Sequence, residues 1–248
     1  MNRSEKIKAQ FYPETNVGGF TSIDGTIEFY TRINALIKKE MKILDFGAGR
    51  ASWMEEDDCE YRKTLLTLKG KANYCAACDI DPIVKQNQNA DETFLITIGE
   101  ALPFDDETFD IVISDYTFEH IAEPDNVIKE FNRILKPGGW ICARTPNQFG
   151  YVSIITRLVK NSLHSRLLKY AQPNRKALDV FPTTFKLNTL AKIEKNFPSS
   201  LYNNYTYRYE SEPGYFFNNR AMFFLMMWIN RLLPRFMIST LFIFVQKK

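Results

Sequence analysis

The stretch ILDFGAGRA, residues 43–51, decides the fold, because an apolar run leads directly into two closely spaced glycines. Residues 42–46 are predicted as a short buried strand. Gly47 and Gly49 allow a tight turn in which the backbone can approach a ligand closely, where a Cβ would clash. A helix that begins after such a turn presents free N–H groups. By itself the pattern is equally typical of a tight turn without a ligand.

Short apolar runs alternate with helical patterns from this stretch to about residue 147. This alternation predicts a parallel sheet with right-handed crossovers. Beyond residue 147 the pattern predicts helices and loops to residue 198, and then two late strands that form a hairpin on the sheet. The predicted strands are 42–46, 73–78, 93–98, 109–114, 140–145, 202–209 and 239–245. The predicted helices are 24–40 with Asp24 as its cap, one from about Pro82, and 125–135 ended by Pro137-Gly138-Gly139.

The composition of the 248-residue chain excludes several classes of protein. Hydrophobic residues make up 45% and charged residues 25%, as in a folded domain, and the net charge of +3 does not indicate a nucleic-acid partner. The N-terminus has no apolar segment of the secretory type. Cys75 and Cys78 form a lone CxxC without further ligands, so we interpret them as buried strand residues, expect no metal, and favour a reducing cytoplasm.

An acid at the end of the second strand adds a second chemical signal. Asp79 can accept hydrogen bonds from both hydroxyls of a ribose, while Asp81, directly before Pro82, suits the cap of the next helix. The loop GEALPF, residues 99–104, follows the third strand and is expected near a base. The fourth strand ends in Ser114-Asp115-Tyr116 and leads to Glu119-His120. The order of these parts is specific as a set, although each part alone is not.

The segments ILDFGAG, DIDP, GEALPFDDETFDIVISDYTFEHI and RILKPGG resemble the class I S-adenosylmethionine-dependent methyltransferases with a "methyltransferase type 11" core. The resemblance covers residues 41–147. It implies a Rossmann-like α/β fold with a mostly parallel seven-stranded sheet, an antiparallel last strand and helices on both faces. Residues 1–40 would form an N-terminal helical cap, and residues 148–248 would add acceptor-side helices and the last two strands. The implied cofactor is S-adenosyl-L-methionine, bound by Asp45, Gly47, Ala48, Gly49, Asp79, Ile80, Gly99, Glu100, Ala101, Asp115 and Tyr116.

Two positions depart from the pattern of that family. Ala51 stands in place of the usual third glycine, and Ile98 in place of an acid that meets the adenine amino group, a role for which Glu100 or a backbone carbonyl remains. The spacing from Gly49 to Asp79 also exceeds the roughly 20 residues of a dinucleotide site, which predicts an insertion at 55–71 with a solvated charged run. Ser52 at the third glycine position of G-x-G-x-x-G argues against a nicotinamide enzyme.

His120 is the candidate general base for an oxygen acceptor, because it follows the fourth strand, where the methyl group of the cofactor is expected to emerge. The alternative is a structural histidine bonded to the backbone at a helix start. The expected acceptor is a small molecule or a cell-envelope or lipid-linked intermediate, with no nucleic acid. A non-catalytic binding module and a protein or RNA methyltransferase remain alternatives. Arg144 can bind a carboxylate or phosphate group of the acceptor. The alternative is a salt bridge to a nearby acidic side chain of the protein. Several candidate acceptor residues lie in the segments ARTPNQFGY and DVFPTTFKLNT, which resemble a less characterised bacterial group of these enzymes. The candidates are Arg144, Asn147, Tyr151, His164, Arg175 and Asp179.

The segment 215–235 is rich in aromatic residues and methionine. Its uninterrupted apolar run, 221–229, is shorter than the about 20 residues that span a bilayer. One interpretation is a helix packed on the sheet between the last two strands. The other is a helix at a membrane interface, with Arg220, Arg231 and Arg235 facing the headgroups. The expected location is therefore cytoplasmic, with a possible peripheral membrane contact.

Overall fold

A computed structural model describes residues 3–151, 153–154, 182–214 and 216–248. Within these ranges eight strands form one sheet in the order β3-β2-β1-β4-β5-β8-β6, and β7 also pairs with β8. Strands β1 to β5 are parallel, whereas β8 is antiparallel to β5. The strands are β1 Lys42–Phe46, β2 Tyr74–Asp79, β3 Glu92–Leu95, β4 Phe109–Asp115, β5 Leu135–Pro146, β6 Tyr202–Asn204, β7 Tyr207–Tyr209 and β8 Thr240–Lys247.

The predicted mostly parallel sheet with an antiparallel last strand is confirmed, with one interruption. The predicted strand at 202–209 divides into β6 and β7, which pair with successive parts of β8. Between them Asn204 Oδ1 accepts the N–H of Thr206 at 2.9 Å, which turns the chain locally out of strand geometry. The seven expected strands therefore appear as eight.

Helices cover both faces of the sheet, as predicted. On one face Phe29, Ile33 and Leu66 pack against Ile43 and Ile111. On the other, Phe131 and Ile193 pack with the intervening strand residues Leu44 and Val112. Alternate strand residues thus serve opposite cores. The α-helices are α1 Arg3–Phe11, α2 Gly25–Leu36, α3 Trp53–Glu56, α4 Glu60–Leu66, α5 Pro124–Ile134, α6 Leu190–Asn196 and α7 Arg220–Leu232.

Two local predictions are corrected. The helix from Pro82 is only a 3-10 turn, Pro82–Gln86, although Asp81 caps it as predicted, its carboxylate accepting the Ile83 N–H. The segment Pro137-Gly138-Gly139 belongs to β5, which begins directly after α5 with an irregularity in register. The charged run of the predicted insertion at 55–71 is mostly exposed, as expected, although α4 within the insertion also buries Leu65 and Leu66.

An ion pair connects the insertion at 55–71 to the start of α2. Asp24 caps α2, as predicted, through its Oδ1, which accepts the N–H groups of Thr26 and Ile27. Its Oδ2 receives the Arg62 guanidinium of α4 at 2.7 Å, and Arg62 also contacts Asp57 at 2.6 Å. Asp24 therefore caps the N-terminus of α2 and also anchors α4.

The aromatic segment near the C-terminus packs against the N-terminal helix. Phe223 of α7 is fully buried in a small cluster with Ile7 and Phe216, with Phe11 and Tyr12 at its edge, separate from the two cores of the sheet. The expectation of a helix packed on the sheet is therefore corrected: α7 lies on α1. Among the helices of the described ranges, none combines the length and the hydropathy that a membrane-spanning segment needs.

Candidate functional site

Aspartates stand at the carboxyl ends of three neighbouring strands. Asp45, Asp79 and Asp115 lie on β1, β2 and β4, which are adjacent and parallel, so all three meet at one edge of the sheet. Burial, together with the charges of Asp115 and Asp79, raises the pKa of Asp45 to about 7. This edge is therefore prepared for a cation, which would relieve the repulsion.

The glycine turn after β1 is held against the end of β2. Gly47 has a φ of +73°, and a Cβ on it would come within 2.3 Å of Thr117 Oγ1. Both the backbone conformation and the packing therefore require glycine there. The N–H groups of Gly47 and Ala48 donate to the Cys78 carbonyl at 2.8 and 3.1 Å. Ala51, which replaces the usual third glycine, adopts a left-handed φ of +55°.

Asp79 is oriented by the backbone around it. Its Oδ2 accepts the Gly49 N–H at 2.8 Å and its Oδ1 accepts the Asp81 N–H at 3.0 Å. A carboxylate has about four lone-pair sites, so each oxygen keeps the capacity to accept one further bond. The side chain is thereby fixed as a bidentate acceptor at the mouth of a cavity.

That cavity has a volume of about 370 Å³ and collects many of the predicted residues. Gly47, Asp79 and Ile80 line it together with the loop Gly99, Glu100 and Ala101 and with His120. Sequence reasoning did not assign most of the remaining wall, which mixes apolar and polar residues and comes from the end of β1, the segment after β3, the segment between β4 and α5, and α5 itself. These additional lining residues are Phe46, Ile96, Thr97, Ile98, Leu102, Thr117, Ile121, Ala122, Glu123, Asn126, Val127, Lys129 and Glu130.

Asp115 is committed to a buried ion pair. Arg144 donates from Nε and Nη2 to the two Asp115 oxygens at 2.7 Å each, and from Nη1 to Thr26 Oγ1 at 3.0 Å. Its guanidinium also lies 4.6 Å from the centre of the Tyr116 ring. The alternative interpretation of Arg144, a salt bridge to a nearby acid, is what the structure shows.

The other acceptor candidates separate into two groups. Asn147 is buried, and its Nδ2 donates to the carbonyls of Phe236 and Ile238 at 2.8 and 2.7 Å, which holds the segment before β8. Tyr151 is partly buried. His164, Arg175 and Asp179 lie outside the described residues. For all of these residues a role in acceptor binding stays a prediction.

His120 lies in the cavity wall with a defined ring orientation. Its Nδ1 is 2.8 Å from the carbonyl oxygen of Pro182. A carbonyl can only accept, so Nδ1 carries a proton and the lone pair of the neutral ring is on Nε2. Glu119 Oε1 is 3.9 Å from Nε2, and Glu119 itself is buried and accepts the Thr145 hydroxyl at 2.8 Å. The hydrogen bond to a backbone carbonyl, which is expected of a structural histidine, thus also fixes the tautomer in which Nε2 is free to accept a proton.

The fold and the cavity define an α/β protein of the Rossmann-like class with a nucleoside-sized site at the carboxyl edge of its sheet. Residues 44–143 match the family model described as "Methyltransferase domain". The core of this chain accordingly belongs to the class I S-adenosylmethionine-dependent methyltransferases, whose cofactor is S-adenosylmethionine.

Curated relatives share the core rather than the whole chain. A demethylmenaquinone methyltransferase of Bacillus subtilis is 42% identical over 126 residues, which cover 46% of this chain and 51% of that protein. The mouse mitochondrial 2-methoxy-6-polyprenyl-1,4-benzoquinol methylase is 33% identical over 119 residues, which cover 43% of this chain and 34% of that protein. The chain thus spans about half of the length of these relatives, or less.

Solved structures extend the similarity of fold to almost the full chain. An S-adenosylmethionine-dependent methyltransferase from Mesorhizobium loti has a TM-score of 0.52 at 14% identity and covers 91% of this chain and 100% of its own. One from Methanosarcina mazei has a TM-score of 0.50 at 17% identity, with 87% and 96% covered. At these identities the comparison shows the fold alone.

The residues present fit the charge and shape of S-adenosylmethionine. The interactions that raise the pKa of Asp45 come from burial and other acids among the described residues, so an ammonium group would be its natural partner. Asp79 keeps acceptor sites on both oxygens for a sugar diol. The apolar walls at Ile80 and Leu102 suit a flat base.

Proposed function

We propose that this chain transfers a methyl group from S-adenosylmethionine to a hydroxyl-bearing small molecule, with His120 as the general base. The observation that carries the proposal is that His120 shares one cavity with Gly47, Asp79 and Ile80. A base therefore stands in the same space as the residues suited to the cofactor. A non-catalytic binding module would not need this juxtaposition.

The cofactor supplies a methyl group on a positively charged sulfur, which is already activated for in-line displacement. The protein therefore has to align the acceptor and receive its proton. In the proposed step the acceptor oxygen forms a bond to the methyl carbon as the carbon–sulfur bond breaks, and the hydroxyl proton passes to His120 Nε2. Glu119 stabilises the resulting imidazolium across 3.9 Å, and Pro182 holds the ring through Nδ1.

The acceptor is proposed to be an amphipathic or lipid-linked intermediate. The mouse relative is named for a benzoquinol that carries a polyprenyl chain. On the α5 side of the cavity the apolar Ile121 and Val127 stand beside polar and charged side chains, a combination that suits an amphipathic acceptor. Carbon is a second candidate for the methylated atom, because deprotonation of a quinol hydroxyl by the same base would place negative charge on the ring.

The test uses S-adenosylmethionine with a tritiated methyl group and separate lipid and aqueous extracts of host cells. The expected result is label in the lipid extract, and His120→Ala should lower the rate by about 10²–10⁴-fold. Calorimetry should find the affinity of His120→Ala for S-adenosylmethionine unchanged. If the wild type binds S-adenosylmethionine but transfers no methyl group, the proposed enzymatic activity is wrong, and a non-catalytic binding module is favoured.

The labelled product distinguishes the two atoms. Fragmentation of an O-methyl ether and of a ring methyl group differ in mass spectrometry, so the position of the label identifies oxygen or carbon. Label in protein or RNA, with none in either small-molecule extract, would contradict the proposed acceptor class.

A further inference from the structure

The outer face of α7 carries large apolar side chains that are not covered. Phe224, Leu225 and Trp228 are exposed to 48%, 50% and 43%, and Leu232 to 76%. Phe224, Trp228 and Leu232 recur at intervals of four residues, about one helical turn, and so share one face. Phe236, just beyond the helix, is also exposed. Contiguous exposed apolar groups of this size indicate an interaction surface.

The opposite face of α7 is fixed to the protein. Phe223 is fully buried, with its ring 5.2 Å from that of Phe11 and 4.8 Å from that of Phe216. Asn230 Nδ2 donates to Glu210 at 3.2 Å, and Asn219 caps the helix by accepting the Met222 N–H. The apolar outer face is therefore presented by an anchored helix.

The charged residues on α7 itself and in the turn that follows it have one sign. Arg220, Arg231 and Arg235 are exposed, and the sequence contains no Asp or Glu after Glu212. Within the described part of the chain, none of these arginines forms an ion pair with a carboxylate. Arg231 lies 5.7 Å from the centre of the Trp228 ring, directly beside the apolar face. Exposed aromatic rings bordered by unpaired arginines complement an anionic lipid surface.

The chain that carries α7 enters the sheet at the same edge as the cavity. Strand β8 begins at Thr240, which pairs with Pro146 at the carboxyl end of β5 and with Tyr209 at the end of β7. The helix α7 and its following turn therefore join the sheet at the carboxyl edge. This is the edge at which Asp45 and Asp79 end their strands.

We propose that the outer face of α7 docks on an anionic phospholipid bilayer. Phe224, Leu225, Trp228 and Leu232 enter the boundary between headgroups and acyl chains, and Arg220, Arg231 and Arg235 contact the phosphates. Docking places the carboxyl edge of the sheet toward the bilayer, the side from which a lipid-linked acceptor would arrive. The docking itself is independent of the proposed methyl transfer.

The experiment is sedimentation of the full chain with vesicles of phosphatidylcholine alone or of phosphatidylcholine with phosphatidylglycerol. Leu232→Glu and Trp228→Ser should each lower the bound fraction on the anionic vesicles by about tenfold or more. The double variant Arg231→Gln/Arg235→Gln should lose most of the preference for anionic vesicles, on the order of tenfold or more. A matched control is Leu201→Glu, because Leu201 is 52% exposed but lies beside Lys248 at the opposite end of β8.

Several outcomes would overturn the docking proposal. The wild type could bind neither kind of vesicle, or Leu201→Glu could reduce binding as much as Leu232→Glu. Sedimentation velocity without lipid could instead reveal a dimer that Leu232→Glu dissociates, which would assign the face to a second copy of the chain. Circular dichroism and S-adenosylmethionine binding of the variants should match the wild type, so that loss of docking is separate from loss of fold or of cofactor binding.

Discussion

The β1–β2 half and the β5–β8 half of the sheet both carry polar side chains at their strand ends, yet these side chains have different partners in the two halves. In the first half Asp45 receives no cation from the described residues, and Asp79 keeps acceptor capacity at the cavity. In the second half the polar groups of Arg144 and Asn147 are bound to Asp115 and to backbone carbonyls. A polar side chain at a strand end is thus a ligand candidate only after its internal partners have been counted.

The sharpest test of this contrast is removal of Arg144. We expect Arg144→Ala to lower the free energy of unfolding by about 3–5 kcal/mol, because Asp115 would be left partly buried without its cation. Chemical denaturation measures the change, and Lys63→Ala at the exposed pair with Glu60 should change it by about 0–1 kcal/mol. A small loss, together with a raised acceptor KM, would instead place Arg144 in substrate binding.

Removal of Asp79 tests the other half. Asp79→Ala should weaken S-adenosylmethionine binding about 100-fold, because two charge-assisted hydrogen bonds to the ribose would be lost. Calorimetry measures the affinity. Asp81→Ala is the matched control, since its loss removes the cap of the 3-10 turn at about 1 kcal/mol of stability with little change in affinity. Equal affinities of the wild type, Asp79→Ala and Asp81→Ala would show that Asp79 does not bind the nucleoside.

Asp45 should show a conflict between stability and binding. Because its folded pKa is raised to about 7, the wild-type free energy of unfolding falls as the pH rises from about 4 to about 7. Asp45→Asn should therefore be more stable by about 2 kcal/mol at pH 8, which is less than the full pKa change implies because the side chain is only partly buried.

The same substitution should weaken cofactor binding about tenfold. Binding of an ammonium group favours the ionised carboxylate, so wild-type affinity should rise between about pH 6 and pH 8 more steeply than that of Asp45→Asn. Calorimetry at both pH values gives the difference. Parallel pH dependences for the two proteins would remove Asp45 from the cofactor site.

The smallest expected effect concerns Ala51, which follows the glycine turn after β1. Ala51→Gly should raise the free energy of unfolding by about 0.5–1 kcal/mol, because the left-handed φ of +55° strains alanine. Ala9→Gly, inside α1, should have the opposite sign at a similar size. Thermal denaturation compares the two. Destabilisation by both substitutions would show that the Ala51 methyl group contributes more through packing than it costs in strain.

Local sequence chemistry accounted for the parts of the molecule in which neighbouring residues decide the structure. The Asp24 cap of α2, the buried strand ending at Asp115 and the turn at Gly47 follow from short-range patterns. The boundaries that failed depend on distant partners. Gly138 and Gly139 lie within β5, at the irregularity between the pairs that Leu135 and Trp140 form with β4, and the helix α4, which no local pattern predicted, buries Leu65 and Leu66 in the core that α2 shares.

By itself the sequence determined the order of the main strands and helices and the acids and glycines of the proposed cofactor site, because these follow from periodicity and from residue types at strand ends. Only the tertiary structure decided which polar groups are already paired, as Arg144 is with Asp115. It also decided that the aromatic face of α7 points outward, because Phe223 is buried against α1. Pairing and exposure depend on contacts between residues far apart in the chain, and a local pattern carries no record of them.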